Sequence, residues 1–257
     1  MLKKEITLFF TALQYFTRIP CPSHVYHNPN IMGKSLRYLP LVGWLVGSLS
    51  GAILVISNRF LTTPIASVAG IMLAIIITGA IHEDGLADTC DGFGGGWNKE
   101  QILKIMKDSR IGSFGGIGIC FALLIKFTAI SELASRNINK TAMIIICAHA
   151  VSRLAIIVLK HNLLYVSDPE NAKSSPFNIP FDTTGFVIAM ALGTLPLFLF
   201  QAWIVWAIPA ILVLIILLMK NYFKKWIGGY TGDCLGAVQQ ITEIFIYLFF
   251  IPAWKYI

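Results

Sequence analysis

Charged residues are scarce in this chain of 257 residues: Asp, Glu, Lys and Arg make up 13% of it, whereas 56% is hydrophobic. A water-soluble domain of this length needs far more charge to cover its surface, so the scarcity excludes that class. The formal charge of +7 would suit a nucleic-acid partner, but no basic patch interleaved with aromatic residues is present, and we expect no nucleic-acid binding. The composition therefore predicts an integral membrane protein.

Cysteine is also scarce, and its spacing shows no redox or metal motif. The five cysteines form no C-x-x-C pair, which argues against a zinc site and against a disulfide framework. We expect reduced thiols. The chain also lacks internal repeats and low-complexity linkers, so we expect residues 1–257 to form a single membrane-embedded domain.

Seven apolar stretches are long enough, some only just, to cross a membrane as helices. A spanning helix needs about 20 apolar residues, because each residue rises ~1.5 Å through a hydrocarbon core ~30 Å thick. Ahead of these stretches, apolar residues recur at helical spacing between Ile6 and Phe16, which predicts an uncleaved amphipathic helix at the membrane surface. The predicted fold is all-α, a polytopic bundle of about seven transmembrane helices plus this N-terminal interfacial helix. The stretches are residues 38–57, 61–82, 114–134, 141–159, 184–200, 202–219 and 235–252.

Basic residues are unevenly shared between the two predicted sides of the membrane. Most of the 20 Lys and Arg residues lie in the N-terminal segment and in the polar connections 83–113, 160–183 and 220–234. Cytoplasmic loops of membrane proteins carry an excess of Lys and Arg. We therefore expect a multi-pass protein of the cytoplasmic (plasma) membrane whose polar connections face the cytoplasm. With seven spans, the C-terminus would lie outside.

A cluster of acidic residues follows the second apolar stretch, in the motif H-E-D-G-L-A-D-T-C-D-G at residues 82–92. If the helix of that stretch continues, Asp84, Asp88 and Asp91 fall within about 60° of one another. They would then lie at a helix C-terminus, where the dipole is already negative, so a bound cation is expected to offset their repulsion. Carboxylates are hard ligands that suit Mg²⁺, Mn²⁺ or Ca²⁺. The three aspartates are therefore candidate metal ligands.

Two further polar motifs lie at the same predicted boundary. Asn98 is expected to cap a short amphipathic helix that ends near Asp108. Asp108 would face back toward the aspartates as a ligand or a base, and Arg110 offers a planar donor fork for phosphate oxygens. The second motif, T-G-D at residues 231–233, precedes the last stretch. There Asp233 either caps the helix or completes the cation site, and Thr231 is a candidate substrate contact.

Three charged residues, Lys126, Arg153 and Glu243, fall inside predicted spans, where an unpaired charge costs several kcal/mol. His149 lies four residues before Arg153, on the same helical face. Two interpretations of Arg153 stay open: it pairs with Glu243, or it lines a hydrated cavity and contacts an anionic substrate. Lys126 and Arg153 are kept as candidate substrate-binding residues.

The aspartate motif, K-D-S-R-I-G at residues 107–112 and T-G-D-C-L-G-A at residues 231–237 together resemble the cobalamin synthase family. The likeness covers nearly the whole chain and includes residues 16–20, 40–43 and 151–153. The aspartate motif is highly specific, and the other segments corroborate it. The connection 160–183 is not matched.

The resemblance implies adenosylcobinamide-GDP ribazoletransferase activity, a late step in assembly of the vitamin B12 nucleotide loop. The family transfers the cobinamide phosphoryl moiety of adenosylcobinamide-GDP to α-ribazole or its 5′-phosphate and releases GMP, with Mg²⁺ as cofactor. The implied partners are these substrates and the lipid bilayer, and a homo-oligomer is left open. The implied roles are catalytic for Asp108, Arg110 and Asp233, substrate-binding for Arg153, Lys126 and Thr231, and Mg²⁺-binding for Asp84, Asp88 and Asp91.

Other membrane proteins that carry acidic clusters fit the sequence less well. A metal-ion transporter would be expected to place its carboxylates at the bilayer midplane and to show repeated halves, whereas these lie at one boundary. A CDP-alcohol phosphotransferase requires D-G-x-x-A-R, and here Ala87 is followed by Asp88. An aromatic prenyltransferase would carry a second motif, N-D-x-x-D, which this sequence lacks.

Overall fold

The structure is a computed structural model that describes residues 2–22, 29–166 and 182–257. Most of the predicted connection 160–183 therefore lies outside the described residues. Across the described ranges the chain forms eleven α-helices and, at Tyr165 and Tyr230, one isolated β-bridge. The helices are α1 (Leu2–Phe16), α2 (Pro29–Ser35), α3 (Leu39–Ser57), α4 (Thr63–Thr78), α5 (Ile81–Gly95), α6 (Lys99–Met106), α7 (Ser113–Arg136), α8 (Ile138–Asn162), α9 (Thr183–Thr194), α10 (Ile208–Ile227) and α11 (Gly232–Ala253).

The all-α membrane fold is confirmed, but fewer helices are long and apolar enough to cross the membrane than the seven stretches predict. Among the described residues five helical segments are long and apolar enough to do so, and a sixth crossing exists only if the bent pair α4 and α5 counts as one. The predicted span 184–200 is a shorter apolar stretch, Thr183–Leu199, in which a 3₁₀ turn containing Pro196 follows α9. The five segments are Asn30–Ser57, Ser113–Arg136, Ile138–Asn162, Trp203–Ile227 and Gly232–Tyr256.

A sharp bend separates α4 from α5, so the expectation that one helix continues from the second stretch through the aspartates is wrong. The two helices meet at 88°. Gly79 and Ala80 between them are both left-handed, with φ of 65° and 60°. Two such residues in a row end the α-helical hydrogen-bond ladder, and alanine, unlike glycine, is strained there. The acidic motif therefore begins a helix of its own, outside the five spans.

Close packing of α3 against α8 forms the centre of the bundle. Gly43, Gly47 and Gly51 are spaced four residues apart and face α8. A Cβ atom on Gly47 would lie 2.8 Å from the Cα of Ile146, so glycine is what lets the two backbones approach this closely. Small residues at this spacing are typical of helix pairs in membranes. Most of α8 is consequently buried, and its polar side chains lie inside the protein.

Replacing Gly47 by alanine should destabilise the protein by about 1–3 kcal/mol, because the added methyl group overlaps the α8 backbone. Gly116→Ala is the matched control, since a Cβ atom there meets nothing within 4 Å. Thermal unfolding of the purified protein in detergent, followed by tryptophan fluorescence, measures both. Equal midpoints for the two variants would show that α3 and α8 are not packed as described.

The orientation predicted from the basic residues can be tested by cysteine labelling of sealed vesicles. Glu100 on α6 and Asn139 at the start of α8 are both exposed. Single cysteines there, in a background without the accessible native Cys21, Cys90 and Cys120, should react from opposite sides, Glu100→Cys from the cytoplasmic side. Reaction of both from the same side would contradict the predicted topology.

Candidate active site

The aspartates lie on α5, which begins immediately after the bend. Glu83 and Asp84 are in its first turn, so the expected location at a helix C-terminus is wrong. This changes the electrostatics, because a helix N-terminus stabilises carboxylates whereas a C-terminus repels them. The helix dipole therefore favours the charge on Asp84 and does not add to the repulsion among the aspartates.

Two glycines bring α5 against the start of α11. A Cβ atom on Gly85 would lie 2.9 Å from the carbonyl oxygen of Asp233, and one on Gly236 would lie 3.0 Å from the carbonyl oxygen of His82. The helices therefore touch through their backbones, and the two acidic motifs, nearly 150 residues apart in the sequence, meet. The sequence could place both motifs at one membrane boundary, but only the fold brings them into contact.

Asp84 and Asp233 line a common cavity of about 200 Å³, with Tyr15, Phe16 and His82 among the other lining residues. Asp88 lies one helical turn beyond Asp84 and is half-buried. Burial and the charges of Asp233, Asp84 and Asp91 raise the pKa of Asp88 to about 7. The acidic residues of the two motifs thus act on one another and form a single electrostatic site.

Asp91 has a different role from its two neighbours. It is buried, and its carboxylate oxygens accept hydrogen bonds from the backbone N–H of Gly112 at 2.7 Å and of Gly115 at 2.8 Å. It therefore caps the N-terminus of α7 across the interhelical contact. The backbone donors of Gly112 and Gly115 thus bind a carboxylate of the protein itself. Metal binding by Asp91 stays a prediction.

Asp108 and Arg110 bind each other on the exposed turn before α7. Arg110 Nη2 lies 2.7 Å from Asp108 Oδ2, and neither residue lines the cavity of Asp84 and Asp233. Hydrogen bonds from the Arg110 side chain and backbone hold the pKa of Asp108 at about 2, which makes it a weak base in this arrangement. The Arg110 side chain is 87% exposed, so the outer edge of its guanidinium group is accessible. Their catalytic roles stay predictions.

Thr231, rather than Asp233, caps α11. The Thr231 hydroxyl oxygen accepts a hydrogen bond from the backbone N–H of Cys234 at 3.3 Å. The same hydroxyl group donates a hydrogen bond to Asp233 Oδ2 at 3.4 Å. Thr231 therefore provides the helix cap that the sequence analysis considered for Asp233. The Asp233 carboxylate is not needed for the cap and is available to the acidic site.

Lys126 and Arg153 belong to a buried set of polar side chains, the core polar network, which consists of Glu83, Lys126, His149, Arg153, Gln239, Gln240 and Glu243. Lys126 Nζ lies 2.8 Å from Glu243 Oε1. Arg153 Nη1 donates to the backbone oxygen of His149 at 2.9 Å and to its Nδ1 at 3.0 Å. Because a guanidinium group only donates, Nδ1 is the acceptor and His149 is neutral. The sequence left open a direct pairing of Arg153 with Glu243. In the structure Glu243 pairs with Lys126 instead.

The cavity inside this network is too small for a nucleotide. It has a volume of about 20 Å³, and the Arg153 side chain is 1% exposed. In this arrangement neither Lys126 nor Arg153 faces a cavity that could hold the substrate. Their substrate-binding roles stay predictions.

The chemistry of the acidic site suits a hard cation. Asp84, Asp88 and Asp233 offer only oxygen atoms, which are the preferred ligands of Mg²⁺ and Ca²⁺ rather than Zn²⁺. Among the described residues, no three His, Cys, Asp or Glu side chains are already arranged to hold a metal ion. The chemistry of the donor set therefore fits Mg²⁺, and the carboxylates would have to move closer together to bind it.

The fold and this site together define a polytopic helical membrane protein with an acidic, oxygen-donor site at one end of its bundle. A family model described as cobalamin-5-phosphate synthase matches residues 8–251, and the chain belongs to this family. The resemblance inferred from the motifs is thereby confirmed.

Several relatives are named adenosylcobinamide-GDP ribazoletransferase. The protein of Shewanella oneidensis is 43% identical over 246 residues, which cover 95% of this chain and 93% of the relative. That of Shewanella sp. (strain W3-18-1) is 40% identical, covering 95% and 94%, and that of Shewanella halifaxensis is 38% identical, covering 96% and 95%. No solved structure matches the chain.

Asp91→Asn should lower the thermal stability, because the amide nitrogen cannot accept one of the two backbone hydrogen bonds and leaves a buried donor unpaired, at a cost of about 1–3 kcal/mol. Asp84→Asn is the matched control, since Asp84 is exposed and binds no backbone group in the described contacts. We expect its midpoint to stay at or slightly above that of the wild type. Equal loss in both variants would exclude the capping role of Asp91.

Proposed function

We propose that this protein transfers the cobinamide phosphoryl moiety of adenosylcobinamide-GDP to α-ribazole or its 5′-phosphate. The products are adenosylcobalamin or its 5′-phosphate, and GMP. The observation that carries the proposal is the convergence of Asp84 and Asp233 on one cavity. It joins the two motifs that carry the family resemblance, and the names of the relatives supply the substrate.

The reaction exchanges one phosphorus–oxygen bond for another. A ribose hydroxyl of the acceptor forms a bond to the phosphorus atom that carries cobinamide. The bond from that phosphorus to the bridging oxygen breaks, and GMP leaves with the electron pair. The hydroxyl proton goes to a carboxylate of the acidic site. Negative charge grows on the bridging and non-bridging oxygens as the bonds exchange, so the site must supply positive charge.

We infer that Mg²⁺ is the cofactor and that Asp84, Asp88 and Asp233 hold it. When bound, Mg²⁺ would neutralise the charge that develops on the diphosphate oxygens. Asp91 holds the N-terminus of α7 against α5 through Gly112. Arg110 lies two residues before Gly112, and its exposed guanidinium group is available to bind phosphate oxygens.

We place this site on the cytoplasmic side of the plasma membrane. The connection that follows α5 carries Lys99, Lys104 and Lys107, and basic residues concentrate in cytoplasmic loops. On that side the site would also be open to substrates made in the cytoplasm. The labelling of Glu100→Cys described above tests this orientation.

A direct assay tests the proposed reaction. Purified protein with Mg²⁺, adenosylcobinamide-GDP and α-ribazole should release GMP, measured by chromatography, and omission of the acceptor should abolish the release. A wild-type protein that releases no GMP with both substrates present would refute the proposed function.

Asp233→Asn should lower the rate of GMP release at least tenfold, which corresponds to about 1.4 kcal/mol of transition-state stabilisation. The variant should also need more Mg²⁺ for half its maximal rate, while its unfolding midpoint stays unchanged because Thr231 still caps α11. Thr231→Ala is the contrasting variant, which should lose about 0.5–2 kcal/mol of stability through loss of the cap. Wild-type turnover in Asp233→Asn would remove that residue from the site.

A further inference from the structure

The small cavity in the core polar network is lined by groups that the proposed reaction does not use. It lies where α3, α4, α5, α7, α8 and α11 meet, and its volume is about 20 Å³. A buried water needs about 10–15 Å³ of such space and two to four polar partners. The cavity therefore has room for one water molecule.

Four residues that line this cavity each have a polar side-chain atom without a hydrogen-bond partner among the described residues: His82 Nε2, Glu83 Oε2, Arg153 Nε and Gln240 Oε1. The side chains of His82, Arg153 and Gln240 are 3%, 1% and 2% exposed. Each buried polar atom without a partner costs about 1–3 kcal/mol, more for a charged group. Four such atoms around one cavity therefore point to a common ligand.

The hydrogen-bonding capacity of these four atoms matches that of one water. Arg153 Nε can only donate, whereas Glu83 Oε2 and Gln240 Oε1 can only accept. His82 Nε2 donates in one of its two neutral tautomers. Two donors and two acceptors are what a single water molecule satisfies.

The charges of the network also concern Glu83 and Arg153. Lys126 and Glu243 form a close ion pair at 2.8 Å, and Glu83 lies at the limit of ion pairing with Lys126, at 4.0 Å. The described hydrogen bonds of Arg153 go to the neutral His149. The network thus holds two cationic and two anionic side chains, and Glu83 and Arg153, which carry opposite charges, both line the cavity.

We propose that this cavity binds one buried water and that the water links Arg153 to Glu83. Gln240 also donates to Glu83 Oε1 at 2.9 Å, so the carboxylate is held from α11 directly and from α8 through the water. Glu83 precedes Asp84 in the first turn of α5. Glu83 is therefore a positioning residue that fixes the acidic helix, a role that rests on the proposed Mg²⁺ site, whereas the water site does not.

A structure of the wild-type protein in a lipid nanodisc, at a resolution that shows ordered waters, tests the water directly. We expect a density peak about 2.7–3.2 Å from Arg153 Nε and from Glu83 Oε2. A direct contact between these two side chains, or a cavity without density, would overturn the proposal.

A double-mutant cycle tests the link between the charges. Glu83→Gln and Arg153→Gln each leave one buried charge unbalanced and should lower the unfolding midpoint strongly, whereas the double variant should recover at least half of the summed loss.

The matched control is the exposed ion pair of Glu132 with Arg136 at 2.8 Å, whose variants should have small, additive effects. Additive losses in the Glu83 and Arg153 cycle would refute the link. If a single variant does not fold, recovery of folded protein in the double variant, measured by gel filtration, supports the link and its absence refutes it.

The Mg²⁺ dependence of the Glu83→Gln variant tests its positioning role. We expect the Mg²⁺ concentration for half-maximal GMP release to rise about threefold or more, a readout that a loss of stability alone would not change. An unchanged Mg²⁺ requirement would refute the positioning role and leave the water site intact. A wild-type protein that needs no Mg²⁺ would instead refute the proposed metal site, and the density and the mutant cycle would still decide the water.

Discussion

The buried ion pair of Lys126 and Glu243 is the interaction on which the rest of the structure depends. An ammonium and a carboxylate group within an apolar bundle are each costly alone, because the surroundings cannot solvate them. Their contact at 2.8 Å joins α7 to α11, and the groups around it extend the connection to α8 through His149 and to α5 through Glu83. Since each partner lies on a different helix, the need to balance charge fixes how four helices pack.

The acidic site lies directly next to this network. Glu83 belongs to the core polar network, and the following residue, Asp84, lines the open cavity. The bend at Gly79 and Ala80 makes this arrangement possible, because it turns α5 away from the direction of α4. One short helix thus presents one carboxylate to the interior of the protein and the next to the open cavity.

The carboxylates of the acidic site differ in their partners. Asp91 accepts hydrogen bonds from two backbone donors at the start of α7, whereas Asp84 on α5 and Asp233 on α11 line a cavity. This division also explains the spacing of the motif, since the residue farthest along α5 reaches the start of α7 and the residue nearest the bend reaches α11. Membership of the cobalamin-5-phosphate synthase family agrees with the diphosphate substrate and the cation that we propose for this site.

The sequence by itself determined the membrane class, the helical fold, the family and the acidic motifs, because hydropathy and local spacing are properties of neighbouring residues. It also predicted the cap at Asn98, where the side chain accepts from the backbone of Gln101 at 3.0 Å. Only the tertiary structure decided which carboxylates share a cavity, that Asp91 caps α7 and that Lys126 pairs with Glu243. These depend on contacts between residues distant in the chain and on the left-handed backbone at Ala80, which alanine does not favour and which packing against the rest of the bundle must therefore impose.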